Sequence, residues 1–258
     1  MNWGKFLLFI VIGFAAQIID GTLGMAYGVS CRTFLKTVAG LPSALASAVV
    51  HVAEVPTTLA SGLSHIKLKN VDKSLFFHLA IPGVIGGVAG AWFLSSAGDA
   101  LEPFIDAYLI IMGVVILRKA FLKSQKERHI GKGIYPLGLA GGFLDATGGG
   151  GWGPVVTSTM LAVGHDVKKT IGTVNTAEFL VTLAETTTFV VLIRDFTSYW
   201  QTILGLIIGG VAQLPSRRGS ARRSPSARCS PSSASSSSCS IFTVSFTIWL
   251  YFKKAVSP

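Results

Sequence analysis

Residues 13–28, GFAAQIIDGTLGMAYG, return as residues 138–153, GLAGGFLDATGGGGWG. Asp20 falls on Asp145, and around them Gly13/Gly138, Thr22/Thr147, Gly24/Gly149, Tyr27/Trp152 and Gly28/Gly153 come into register. After a one-residue slip, AVVHVAEVPTTLA from Ala48 meets GTVNTAEFLVTLA from Gly172 and pairs Glu54 with Glu178. The chain therefore reads as two copies of one unit. Each copy sets a glycine-rich break and an acid inside otherwise apolar sequence.

The solvent for such a unit is lipid. Of the 258 residues 50% are hydrophobic and only 13% charged, and the mean hydropathy is +0.58; a soluble chain of this size would lack polar surface to cover its core. Apolar runs long enough to span a bilayer lie near 6–28, 43–64, 75–96, 103–121, 135–162, 171–193 and 198–211. They predict an all-α integral membrane protein of about seven to eight transmembrane helices. It is built from two homologous halves, each with a glycine-rich broken helix. The expected organisation is a first repeat over 1–125, a basic cytoplasmic loop over 126–134 and a truncated second repeat over 135–211. The amino-terminal run has the look of a signal peptide, but its twin begins at Gly138 in mid-chain, so it reads as a mature helix.

Lys67, Lys69 and Lys73 mark one basic connection and Arg118, Lys119, Lys123, Lys126, Arg128 and Lys132 another. By the positive-inside rule both are cytoplasmic, and a simple count of crossings then puts the amino terminus there too. Lys168 and Lys169 conflict with that count, which sets them outside. One re-entrant segment per half would remove the conflict, with an odd number of crossings and an inverted repeat.

The apolar pattern stops after Val211, where AQLPSRRGSARRSPSARCSPSSASSSSC begins. The repeat calls for a continuing helix here, as in VAGAWFLS from Val88. Permitted GC-rich codons for 212–239, read from the third base of the first, encode a helix, a short basic loop and another apolar helix. Residues 212–240 therefore read as an out-of-frame segment, followed over 241–258 by a short apolar tail. The other reading is a genuine low-complexity loop. Five arginines between Arg217 and Arg228 supply half of the net charge of +10, so that charge does not indicate a nucleic-acid partner.

Glycine breaks in a bilayer need burial or a cavity around them, and their freed amides can face an anion. Two breaks at matching positions point to one central site. Its candidate substrate-binding residues are Asp20, Thr22, Gly24 and Gly28 from the first copy. From the second come Asp145, Thr147, Gly148, Gly149, Gly150, Gly151, Gly153 and Asn175. Other roles stay open: the aspartates can cap freed amides, and Asn175 can bridge helices. Glu54 and Glu178 are candidates for proton coupling, or they pair with each other or with His51. Tyr27 and Trp152 suit packing, as do Gly83, Gly86, Gly87 and Gly90. Cys31, Cys229 and Cys239 have no metal or disulfide spacing, and no nucleotide or hydrolase motif occurs, so neither an enzyme, a metal nor a cofactor is expected.

Over about residues 6–211 the chain resembles the sulfite exporter TauE/SafE family of membrane permeases, most strongly in GLAGGFLDATGGGGWGPV and IGTVNTAEF. The resemblance implies a multi-pass plasma-membrane or inner-membrane protein that moves sulfite, sulfonates or related anions without ATP hydrolysis. It marks Asp20, Gly24, Gly28, Asp145, Gly148 to Gly151, Gly153, Pro154, Asn175 and Glu178. Leu23, Met25 and Ala26 depart from the pattern, and the family's closing helices are missing after Val211. The expected function is secondary transport of a small anion by alternating access. The alternatives are a non-transporting membrane scaffold, or an importer of a different small metabolite. The expected partners are the anion, the lipid bilayer and a second copy of the chain.

Overall fold

A computed structural model describes residues 3–23, 26–119, 131–193 and 196–212. The serine-arginine segment, the short apolar tail and Gly24 lie outside the described residues, as does the Thr22 side chain. Every regular element among the described residues is helical: α1 (Trp3–Leu23), α2 (Tyr27–Thr37), α3 (Ser43–Lys67), α4 (Lys73–Ala97), α5 (Glu102–Lys119), α6 (Ile134–Gly148), a π-turn (Gly153–Thr157) leading into α7 (Ser158–Ala162), α8 (Val167–Leu192) and α9 (Trp200–Ala212). The fold is all-α, and three helices, Trp3–Asp20, Ser43–Lys67 and Lys73–Ala97, are each long and apolar enough to cross a membrane alone. With 26 residues α8 has the length as well, but Lys168, Lys169, Glu178, Glu185 and seven threonines lower its hydropathy.

Helix directions follow from which residues touch. Gly138 packs on Leu79 and Gly142 on Gly83, so α6 runs along α4 in the same sense. Gly205 meets Phe6, Phe9 and Ile10, and Gly209 meets Ile10 and Phe14, so α1 and α9 are likewise parallel. By contrast Gly62 meets Thr176 while His51 meets Glu185: α3 and α8, the helices that the sequence repeat aligns, run antiparallel. Glycines make these contacts because a Cβ would strike backbone. At Gly86, Gly142 and Gly209 the nearest neighbour is a carbonyl oxygen of the facing helix, and small residues let membrane helices approach to that distance.

The two glycine breaks reverse the chain. Both the start of α6, beside Leu79, and the turn after α7 lie at the end of the bundle where α3 gives way to α4. The Asp72 N–H there donates to Thr173 Oγ1 near the start of α8, at 2.9 Å. The segment from α6 through α7 is thus a hairpin that enters and leaves at one end. In the first half, α1 starts at the opposite end, with the beginning of α9, and α2 returns there to the turn before Ser43, whose hydroxyl donates to Glu102 at 3.0 Å. Each break is a hairpin tip rather than an unwound turn in a continuing helix.

This arrangement brings Lys168 and Lys169 to the same end as Lys67, Lys69 and Lys73. It also places Trp3, at the start of α1, at the end opposite these lysines, whereas the simple count puts the start of the chain at the same end. The simple count failed because it treated each hairpin as a crossing. Large apolar side chains face outward along the bundle, among them Leu7, Val11, Ile81, Ile85, Trp92, Ile110, Ile111 and Val191, as a lipid-covered surface requires.

Candidate functional site: the crossing of two hairpin tips

Aspartates close both tips in the same way. Asp20 Oδ1 accepts from the Ala26 N–H at 3.1 Å, and its Oδ2 from Gln17 Nε2 at 3.2 Å. Asp145 Oδ1 accepts from the Trp152 N–H at 2.9 Å. Each carboxylate satisfies the backbone amide at the start of the returning helix, which is the capping role. Glycine makes the second reversal possible, since Gly149 has φ 68° and Gly150 φ 143°, values that side chains disfavour. The Gly149 N–H bonds to Asp145 O at 2.7 Å and that of Gly150 to the same oxygen at 3.2 Å.

The tips cross at their glycines. A methyl group on Gly28 would stand 2.5 Å from Gly149 O, 2.6 Å from Gly150 Cα and 2.7 Å from Glu54 Oε1. Three sequence candidates from different parts of the chain thus converge: Gly28, the Gly149–Gly150 pair and Glu54. Glu54 is buried and within electrostatic reach of Asp145, Glu178, Glu185 and Asp20. Of the remaining candidates, Thr147 is buried but donates its hydroxyl to Phe143 O of its own helix at 2.8 Å. Gly148 and Gly151 face Tyr108 on α5, and Gly153 and Pro154 are buried in the π-turn. Asn175 joins α8 to α3 through Ser61 Oγ at 3.5 Å, about two helical turns from Glu54. Trp152 is fully buried, with its indole N–H donating to Val174 O at 3.0 Å. Tyr27 donates its hydroxyl to Leu206 O at 3.1 Å.

His51 takes neither Glu54 nor Glu178 as its close ion-pair partner. Its Nε2 lies 2.8 Å from Glu185 Oε2 and 3.9 Å from Asp145 Oδ2. Nδ1 stands 2.7 Å from Ser47 O, and since a carbonyl oxygen only accepts, Nδ1 carries a hydrogen. A lone pair on Nε2 facing an ionised carboxylate at 2.8 Å would be repulsive, so the contact is favourable only with a proton on one of the two atoms. The pair is fully buried. These side chains and Asp145 bring their ligating atoms within 4.8 Å of one another, a donor set that also suits a divalent cation.

Glu185 and Arg32 are the charged groups at this centre that repeat-guided reading passes over. Their twins in the other copy are Ser61 and Thr157, so neither appears among paired acids. The available signal was simpler: a charge within an apolar stretch is costly and calls for a role. Arg32 projects from α2 with its stem against Gly149.

The sequence model of the "Sulfite exporter TauE/SafE" family matches residues 9–216. A Bacillus subtilis (strain 168) protein bearing the name "Probable membrane transporter protein YtnM" is 42% identical over 219 residues, covering 82% of this chain and 73% of that protein. No solved structure matches the chain. Hairpins meeting inside an apolar bundle, together with these two matches, identify a multi-pass membrane protein: the chain belongs to the sulfite exporter TauE/SafE family of membrane transporters.

Proposed function

We propose that the protein is a secondary transporter for a small sulfur oxyanion, sulfite or a sulfonate, working by alternating access. The observation that carries this reading is the contact of the two hairpin tips at Gly28 and Gly149–Gly150, since the hairpins enter from opposite ends. Withdrawal of one tip opens the centre to one side while the other tip keeps it closed, the gating logic of transporters with oppositely oriented repeats. The repeats would be residues 1–125 and 135–211, with the basic segment 126–134 between them on the cytoplasmic side. The family's description supports the choice of sulfite.

Coupling protons are assigned to buried Glu54 and half-buried Glu178, together with the His51–Glu185 pair. Substrate contacts are assigned to the tips, from Asp20, Thr22, Gly24 and Gly28 on one side and Asp145 to Gly153 on the other. Such a machine is reversible, and the gradients set its direction.

The test is flux of radiolabelled sulfite in proteoliposomes containing the purified chain. Counterflow above that of empty liposomes, with collapse of the pH gradient altering the rate, is the expected result. Intact, monodisperse protein giving no flux of sulfite or any sulfonate would remove the transport reading and favour a scaffold.

A further inference from the structure

We propose that Arg32 and Tyr108 form a binding site for an anion with three terminal oxygens, on the flank of the Gly148–Gly151 turn. The proposal deepens the transport reading and rests on it for the substrate's identity. Arg32 is 0% exposed, yet none of its three guanidinium nitrogens has a hydrogen-bond partner. Among the described residues it forms no ion pair either. The acids within its electrostatic reach, Asp106 and Glu102, are engaged by a neighbour. Lys36, one turn further along α2, lies 2.8 Å from Asp106 and 3.6 Å from Glu102, and Glu102 also accepts from Ser43. A buried, unpaired guanidinium carries a large desolvation cost, which an anion arriving at that point would offset.

A second donor stands beside it. The Tyr108 hydroxyl is buried and likewise without a partner, and it sits close against Gly151 while the ring lies on Gly148. Arg32 and Tyr108 interact electrostatically with each other. They approach one turn from two helices, α2 and α5, and glycine's missing Cβ is what admits them: Arg32 Cβ and Cγ lie only 3.0 Å from where a Gly149 methyl would stand. The planar guanidinium fork suits two oxygens of one anion. The phenol supplies a donor for a third oxygen. A pyramidal sulfite or a sulfonate head group satisfies all three, whereas a planar carboxylate uses only the fork.

The site also lies where the transport cycle needs it. Gly149 and Gly150 touch Gly28, four residues before Arg32 on the same helix. An anion bridging Arg32 to the second hairpin would therefore bind across both tips at once and report its presence to each gate.

The test is calorimetric binding of sulfite, methanesulfonate and acetate to the purified full chain in nanodiscs, with sulfite flux measured in parallel. In Arg32→Gln, affinity for sulfite and methanesulfonate is expected to fall about tenfold or more, the scale of a lost charge-assisted contact. Arg32→Lys keeps the charge but not the fork and is expected to fall between. Tyr108→Phe should weaken methanesulfonate several-fold while leaving acetate unchanged. Wild-type flux together with unaltered affinity in Arg32→Gln would overturn this site and leave the transport reading standing. If Arg32→Gln does not fold, the other two variants decide, and an unchanged preference for methanesulfonate over acetate in both overturns the site. A wild-type protein that neither binds nor carries any of these anions defeats the transport reading itself.

Discussion

His51 faces Glu185 in a fully buried contact between α3 and α8: Nε2 and Oε2 lie 2.8 Å apart, and the other ring nitrogen stands 2.7 Å from Ser47 O. With a proton on either atom the contact is attractive. Removing the proton turns an attractive contact into a repulsive one, so the spacing of two antiparallel central helices depends on protonation. In Glu185→Gln the amide donates to Nε2 whatever the pH, and the contact becomes permanent. The protein is expected to keep its melting temperature, while its sulfite flux loses dependence on the pH gradient. Flux measured against lumenal pH in wild type and variant checks this, and an unchanged profile would remove the pair from coupling.

The tip contact is a steric prediction. Alanine at Gly150 would press into Val29 N and Gly28 and also adopt φ 143°. Overpacking costs about 1–3 kcal/mol, and backbone strain adds about 1–3 kcal/mol. Gly28→Ala meets the facing glycines from the other side without that strain. Both variants should insert and lose flux, with Gly150→Ala melting lower. A thermal-shift series on detergent-purified protein gives the ranking.

Asp145 has two jobs that two substitutions separate. Asp145→Asn can still accept from the Trp152 N–H, so the cap survives while the titratable group facing His51 disappears. Asp145→Ala loses both, and an absent cap costs about 0.5–2 kcal/mol. The asparagine variant is expected to retain stability and lose sulfite efflux, as is Glu178→Gln on the neighbouring helix. Full efflux in both would show that these acids take no part in transport.

Re-entrant hairpins make a topological claim. In a background with Cys229 and Cys239 changed to serine, Lys67→Cys and Lys168→Cys should react with an impermeant maleimide from the same side of the membrane. Trp3→Cys should react from the other. Labelling of sealed vesicles of known orientation reads this directly, and reaction of Lys67→Cys and Lys168→Cys from opposite sides would rule the hairpin arrangement out.

The family match ends at residue 216, where the serine-arginine run begins. Sequencing the coding DNA and transcript across codons 205–258 is expected to reveal a single-base insertion or deletion whose repair restores apolar helices. An intact frame would make the low-complexity segment genuine.

The sequence by itself determined the membrane class, the two-copy architecture and the positions of both reversals. These properties are local: hydropathy, a repeated string, and glycines beside an acid. It also exposed its own topological conflict at Lys168 and Lys169, and the hairpin that resolves it. Tertiary structure alone decided what meets at the centre. Gly28 touches Gly149 and Gly150, not its twin Gly153, because crossing hairpins offset the tips. His51 pairs with Glu185, not with the repeated glutamates, because antiparallel packing of α3 on α8 sets those levels opposite each other. Arg32 acquires its meaning only when Gly149 folds against its stem and Lys36 engages the nearby acids. A repeat identifies what two halves have in common, whereas Arg32 and Glu185 occur once, and their surroundings come from helices far apart in the chain.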